Sequence, residues 1–294
     1  MIDFPDIYGE FYRLLEQIPE GYVSTYGDMA IQLGDIASSR AVGVMLSENE
    51  SPDKYPCYRV VMSDGTLGGF TSPNGIEEKI RRLRKDGIRI SGGKVENFES
   101  VRFRDFRSKF PLRKFREDAA KLDINRKVSH SGDLRALDIS YLGRTGIGVA
   151  VDFEGDLTFE VTVKTVKSPY IPNYLYLREG EIYEALVKRD AINIIDGNGI
   201  IHRDGRGVAT LVGASKMVAT AGLAKSLLLG EERGRGVFLG SKKIGEKVGR
   251  YYISKGFGMD LEECVDAIAH EQHFPQTKYP DRLSRRYRDE ILAS

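Results

Sequence analysis

The sequence predicts an α/β protein of two domains, a small helical one over residues 1–100 and a mixed-sheet one over residues 101–294. Three observations predict it. At 294 residues the chain exceeds one typical domain and falls short of three. The first hundred residues read as short helices around one central punctuated pair. From Leu134 the pattern changes to β-rich runs, and then to alternating helix and strand.

Taken in order, Thr25 is placed to cap a helix whose apolar face holds Met29, Ala30 and Leu33. Gly34-Asp35 breaks it, and Ser38 starts a second helix carrying Val42, Val44, Met45 and Leu46. Two short helices around a glycine turn fit a helix-turn-helix, although an ordinary helical hairpin reads the same way. YPCYRVVMSDG follows as a short apolar run after a proline, then the helix IEEKIRRLRKDG, closed by Gly87. LRALDISYL, TGIGVAVDF and LTFEVTVKTV are three β-rich runs with GR and EGD turns between them, an antiparallel meander. PYIPNYLYLRE leads into the helix EIYEALVKR, and AINIIDGNG is a short apolar strand stopped by glycines. GVATLVGASKM, TAGLAKSLL, GRYYIS, DLEECVDAIAHEQ and RLSRRYRDEIL continue the alternation. Three antiparallel strands followed by βα units describe a mixed sheet with helices on both faces. That order suits a ribonuclease H-like fold, among several α/β folds.

Composition removes other classes. The chain is 41% hydrophobic and 30% charged, which is globular rather than disordered or fibrous. No apolar run approaches the roughly 20 residues that span a bilayer, and MIDFPDIYGEFYRLLEQ lacks the pattern of a signal peptide. Two cysteines, Cys57 and Cys264, are far apart, so a reduced, cytoplasmic protein is expected. The net charge of +1 conceals an uneven distribution. Residues 1–100 hold 11 Lys/Arg against 16 Asp/Glu, whereas residues 101–127 hold 10 against 4. The stretch VRFRDFRSKFPLRKFRED is therefore a basic junction, either a solvated linker or a surface that contacts phosphates.

Among the acidic residues, Asp138 interrupts an apolar strand and Asp196 ends another, where sites in open α/β sheets collect. Glu179 lies between them in sequence, at the start of a helix. Each alone reads first as a solvent-facing carboxylate. Converging, they would repel unless a cation joined them, and hard oxygen ligands suit Mg²⁺ or Mn²⁺. Lys225, in GLAKS, could reach the same edge and stabilise charge on a phosphoryl oxygen.

ALDISY, PYIPNYLYLRE, DGNGIIH and GLAKS, in this order and spacing, resemble the signature of endonuclease V. The resemblance covers roughly residues 105–294. It implies metal-dependent nicking of nucleic acid on the 3′ side of deaminated bases, chiefly inosine. It further implies that Asp138, Glu179 and Asp196 gather the metal and that Lys225 assists at the phosphate. By the same resemblance Tyr170, Ile171 and Pro172 form a wedge beside an extruded base, and Gly197 and Gly199 help enclose it. His202 falls on the family's DGxGxxH position, as a metal-proximal residue or a satisfied loop histidine. The family's C-terminal block is only approximated by YPDRLSRRYRDE, so no late metal-proximal side chain is carried across. His270 and His273 are candidates by type alone.

Residues 5–95 resemble a second family through IPEGYVSTYGDMA, SRAVGVMLSEN, YPCYRVV and LRKDGI. These are similar to the DNA-binding and active-site domain of alkylguanine-DNA alkyltransferases, which implies a winged helix-turn-helix-like fold. The resemblance does not extend to the family's usual N-terminal domain, which is not expected here. The resemblance places Cys57 as the alkyl acceptor, Tyr26 as the residue that rotates the nucleotide out, Arg40 as the one that fills its place, and Asn49 as a brace. Two positions depart from the family: Tyr58 stands where a proton-relaying histidine is expected, and Asp86 where a glutamate is. Tyrosine, with an ordinary pKa near 10, is poorly matched to a base's task at neutral pH. The expected partners are DNA with deaminated or alkylated bases, with RNA the alternative for the nuclease, and no membrane. The chain is expected to act as a monomer. A lesion-binding, non-catalytic role for the first domain is the other reading.

Overall fold

The protein is described by a computed structural model covering residues 3–293. It divides into two compact units, residues 3–117 with 168–172, and residues 118–167 with 173–293.

The first unit opens with α1 (Ile7–Leu15), which buries Ile7, Phe11, Leu14 and Leu15. β1 (Ser24–Thr25) leads into α2 (Tyr26–Leu33), and the Thr25 hydroxyl caps it by accepting from the Asp28 N–H at 2.9 Å. Gly34 ends α2 at φ +106°, a left-handed conformation that glycine adopts without strain. α3 (Ser39–Ser47) follows, so the predicted two-helix motif forms. Its buried side chains are Ala41, Val42 and Met45, whereas Val44, expected inside, is exposed and Leu46 is half-buried. β2 (Val60–Val61) pairs with β1 in parallel. α4 (Gly75–Lys85), the hairpin β3 (Ile90–Ser91) and β4 (Lys94–Val95), and α5 (Phe98–Val101) surround a core of Val23, Tyr58, Val61, Leu83 and Val95. The chain then passes into α6 (Pro111–Ala120).

The basic stretch is partly consumed by this unit. Val23 exchanges backbone bonds with Val101 and Phe103, and Arg102 grips Asp28 through two nitrogens at 2.8 and 2.9 Å. Burial alone would raise the Asp28 pKa, but Arg102 and Thr25 bring it below the ordinary carboxylate value. Arg104 pairs with Glu99 at 2.9 Å. Arg102 is thus an architectural cation, while Arg107, Lys109, Arg113 and Lys114 stay exposed.

The second unit is built on a nine-stranded sheet. The meander β5 (Leu134–Leu142), β6 (Thr145–Asp152) and β7 (Thr158–Thr165) forms where expected. α7 (Leu175–Leu186) begins earlier than the sequence suggested, so Glu179 lies one turn inside the helix rather than at its start. The reason is tertiary: Tyr176, Leu177 and Tyr183 of this helix are all buried. β8 (Ile192–Ile195), α8 (Val208–Lys216) and β9 (Thr220–Ala224) complete a parallel centre, β5–β8–β9. β10 (Glu231–Arg233), β11 (Gly236–Leu239), β12 (Lys242–Val248) and β13 (Tyr251–Phe257) extend it antiparallel, giving the order β10-β11-β12-β13-β9-β8-β5-β6-β7. Of these four, only β13 is legible in the sequence as a strand. α9 (Leu261–Ala269) starts with a capping box of Asp260 and Glu263, and α10 (Lys278–Ala293) lies on β5 and β6. No helix among the described residues is long and apolar enough to cross a membrane.

Two glycines set the sheet-to-helix spacing that the site depends on. A Cβ at Gly146 or Gly148 would stand 2.4 Å from Ile182. Their absence of side chains lets α7 lie close on β6, which carries Glu179 toward the strand ends.

Candidate functional site

In the second unit the strand register assembles the acidic cluster. Leu137 pairs with Ile195 in the parallel ladder and the Asp196 N–H donates to Leu137 O at 3.1 Å, so Asp138 and Asp196 follow side by side. Asp138 is buried and Asp196 half-buried, and their carboxyl groups hydrogen-bond each other. Lys225, just past β9, ion-pairs with Asp196. Side chains alternate along β5: Ser140 bonds Ser284 O of α10 at 2.7 Å, and Tyr141 donates to Glu179 of α7 at 2.7 Å. Asp138 therefore projects toward the α10 face, while Glu179 arrives from the α7 face. Burial, followed by the neighbouring Asp196 charge, pushes Asp138 well above the ordinary carboxylate range. Burial likewise raises Asp196, and it raises Glu179 to about 7 although Tyr141 opposes the shift.

Among the described residues, no three His, Cys, Asp or Glu side chains converge closely enough to hold a metal ion as placed. Asp138 and Asp196 meet, while Glu179 is turned onto Tyr141. The donor set nevertheless fits a hard divalent cation, because buried carboxylates with raised pKa values are carboxylates short of positive charge. Asp281, in the first turn of α10, is the residue that sequence reasoning missed. Its carboxylate lies 3.9 Å from the Lys225 ammonium and raises the pKa of both Asp138 and Asp196. Only the crossing of α10 over β5, fixed by the Ser140–Ser284 bond, brings it there.

The other expected residues divide by burial. Tyr170 is 58% exposed, whereas Ile171 is buried at 1% and can shape its loop but not touch a base. Pro172 is half-buried. A Cβ at Gly199 would stand 2.0 Å from Lys255 O, and one at Gly197 2.7 Å from Val208. These glycines are thus required by packing, whatever else they contact. His202 is buried, with Nε2 3.1 Å from Asn173 O and Nδ1 3.3 Å from the Asp204 N–H. Both ring nitrogens thus have partners in the loops around it. His270 caps the end of α9, and His273 pairs with Glu271 at 2.8 Å.

In the first unit, a cavity of about 250 Å³ is lined by Tyr26, Gly43, Leu46, Cys57, Gly69 and Phe70, with Ser47 and Thr71 at its wall. Cys57 is a free thiol, 7% exposed. Burial raises its pKa, while a hydrogen bond from Asn49 and the charge of Lys79 oppose the rise. Asn49 also donates to Tyr55 O at 2.8 Å, bracing the turn that presents the cysteine. Lys79 is a second residue absent from the sequence reading, and its charge acts on Cys57. Its position on the inner face of α4 was the only available signal. It is 1% exposed, donates to Val60 O at 2.7 Å, and burial depresses its pKa to about 8. Tyr58 is buried in the core, its hydroxyl on Asp86, which is itself held by Arg59 at 2.6 Å. Burial raises the Tyr58 pKa, so it is no base near neutrality. Arg40 stands exposed in the first turn of α3.

Two family models match the chain. Residues 6–88 match the 6-O-methylguanine DNA methyltransferase DNA-binding domain, and residues 116–283 match endonuclease V. A bifunctional methyltransferase/endonuclease of Picrophilus torridus is 39% identical over 279 residues, covering 92% of this chain and 93% of that protein. A namesake from Thermoplasma volcanium is 40% identical, covering 88% and 82%. The second unit shares the fold of Streptomyces avermitilis endonuclease V, with TM-score 0.53 and 22% identity over 63% of this chain and 95% of that one. With both domain models and full-length relatives matched, the chain belongs to the bifunctional methyltransferase/endonuclease family, an alkyltransferase DNA-binding domain followed by an endonuclease V domain.

Proposed function

We propose that the second unit nicks DNA on the 3′ side of deaminated bases, chiefly inosine, with Mg²⁺ as its ion and Mn²⁺ able to substitute. The observation that carries this reading is the contact of two carboxylates, buried Asp138 and half-buried Asp196, beside the Lys225 ammonium at a strand-end edge. The endonuclease V family depends on a divalent metal, which supplies a nucleophilic hydroxide near neutral pH and neutralises phosphate charge. Asp138 and Asp196 would hold it, with Glu179 released from Tyr141 as the third ligand. Lys225 is placed to stabilise charge developing on a phosphoryl oxygen. Asp196 foremost, with Asp138 and Asp281 behind it, keeps the ammonium protonated against its partial burial. Nicking of an inosine-containing duplex with Mg²⁺, compared with EDTA, tests the reading; equal cleavage in both would overturn it. Matched inosine substrates in DNA and RNA decide between the two nucleic acids.

The first unit would present an alkylated guanine to Cys57, with Tyr26 turning the nucleotide out, Arg40 filling the gap and Asn49 bracing the loop. The thiolate forms an S–C bond to the alkyl carbon as the O–C bond breaks, and the guanine oxygen keeps the electron pair and gains a proton. A second reading, lesion binding without transfer, is favoured by one observation: Tyr58, where the family has a histidine, is buried in the core, and burial raises its pKa away from a base's working range. Two free, buried cysteines accord with a cytoplasmic setting.

Two expected results arise here. Tyr170→Ala should leave cleavage chemistry intact but reduce the preference for inosine over normal sites roughly tenfold, because the exposed ring offsets the few kcal/mol of unstacking. Competition between inosine and undamaged duplexes measures it, and an unchanged ratio removes the wedge role. Neutralising Arg107, Lys109 and Lys114 should flatten the salt dependence of DNA binding, each lost phosphate contact lowering the log–log slope by about 0.9. Arg102→Ala should instead destabilise the first unit by about 3 kcal/mol, since it strands the Asp28 carboxylate.

A further inference from the structure

Away from both sites, the free edge of the nine-stranded sheet carries the strongest unexplained pattern. β7 ends the strand order on its side, with Phe159 and Val163 52% and 53% exposed and Leu157 beside them at 45%. Its pairing with β6 runs through all eight residues without a register shift. It holds no proline or bulge, two of the devices that blunt an edge, and its only charged side chains, Glu160 and Lys164, are of opposite sign.

The phase of the ladder says which groups face outward. Val166 N–H donates to Arg144 O at 2.7 Å just beyond the strand. Antiparallel partners alternate between pairs that exchange bonds and pairs that do not. Lys164, Thr162, Glu160 and Thr158 therefore bond to β6. Phe159, Val161, Val163 and Thr165 turn their N–H and C=O groups to the open side.

We infer that this edge pairs two copies of the chain, β7 against β7, about a twofold axis through Thr162. The sequence TFEVTVKT is nearly symmetric in chemistry about that residue. In the antiparallel register centred there, Val161 meets Val163, Phe159 meets Thr165, Glu160 meets Lys164, and Thr162 meets itself. Twofold symmetry repeats each contact. Outward-facing residues meet outward-facing residues, which supplies about eight backbone hydrogen bonds. The register is singled out by charge. Moving the axis to Val161 or Val163 leaves Glu160 and Lys164 opposite uncharged residues. Moving it to Glu160 or Lys164 sets like charges face to face, which is destabilising. Both charged side chains are already steadied, Glu160 by Arg135 and Lys164 by Glu181 O at 2.9 Å. The chain expected from its sequence to act alone thus carries a self-complementary edge.

Sedimentation equilibrium of the full chain across micromolar concentrations tests it. The wild-type chain is expected to dimerise, and Lys164→Glu or Glu160→Lys to raise the dissociation constant roughly tenfold or more, each placing two like-charge pairs across the axis. An equimolar mixture of those two variants should recover the dimer, because each copy then meets opposite charges in the other. Thr162→Lys sets two ammonium groups on the axis without disturbing Arg135, and serves if Glu160→Lys fails to fold. A wild-type chain that stays monomeric would overturn the inference. So would a dimer indifferent to Lys164→Glu and Thr162→Lys. Nicking is not the readout, so the outcome stands apart from the nuclease assignment.

Discussion

Asp138→Asn should abolish nicking and at the same time raise the melting temperature of the metal-free protein. The loss of activity follows from removing one of two adjoining carboxylates that the cation needs, an effect of at least ~10³-fold by analogy with losing a single charge-stabilising group. The gain in stability follows from the same burial that serves function. A carboxyl whose pKa is raised in the folded state contributes stability that is fully present below its unfolded value, near 4, and is lost as pH rises toward the folded value. Asp138 is such a group, raised by burial and by the adjacent Asp196. Asparagine keeps a side-chain hydrogen bond to Asp196 without the charge. In chelator the variant should therefore melt about 2–4 °C above wild type at pH 7, for each kcal/mol of repulsion removed in a domain of this size. The gap should close toward pH 4. Adding Mg²⁺ should raise the wild-type melting point and leave the variant unmoved, since only the intact site binds the ion. Calorimetry at three pH values with and without Mg²⁺ checks all of this. A variant less stable than wild type at pH 7 would show that the pair is held for stability rather than for a cation.

Cys57→Ser should eliminate alkyl acceptance entirely while keeping lesion binding, and the wild-type rate should climb about tenfold per pH unit from pH 6 to about 8. The sign follows from burial, which raises the Cys57 thiol and leaves thiolate as the scarce species at neutral pH. The upper limit follows from Lys79. Its pKa is depressed to about 8, so above that pH the ammonium that favours the thiolate is lost and the slope becomes shallower. Tyr58→His, with Asp86 beside it, should raise the rate near neutrality by roughly 10²-fold, the low end of what a positioned base supplies. Intact-protein mass after incubation with a methylated oligonucleotide reads the transfer directly. If no methyl mass appears at any pH while binding persists, the first unit is a lesion sensor.

The sequence by itself determined most of the local structure, because it is written in short-range chemistry. Thr25 before an apolar run, Gly34 after it, Asp260 with Glu263, and the β-rich runs with their turns from Leu134 to Thr165 each set a helix end or strand within a few residues. It also determined which residues to suspect, since DGNG, GLAKS and PCYRV concentrate charge, glycine and a thiol at element ends. What only the tertiary structure decided is who meets whom. β5 and β8 are parallel and separated by a whole meander and a helix, so the register that sets Asp138 beside Asp196 is a long-range fact. Asp281 and Lys79 look like ordinary helix residues until α10 crosses β5 and α4 closes over Cys57. Arg102 belongs to a basic run that looks free for phosphate until its guanidinium is seen to be taken by Asp28, and the loop partners of the His202 ring nitrogens are likewise set by the fold. Burial is the physical reason in every case. It sets pKa values and leaves polar atoms to find partners, and it depends on elements far apart in the chain.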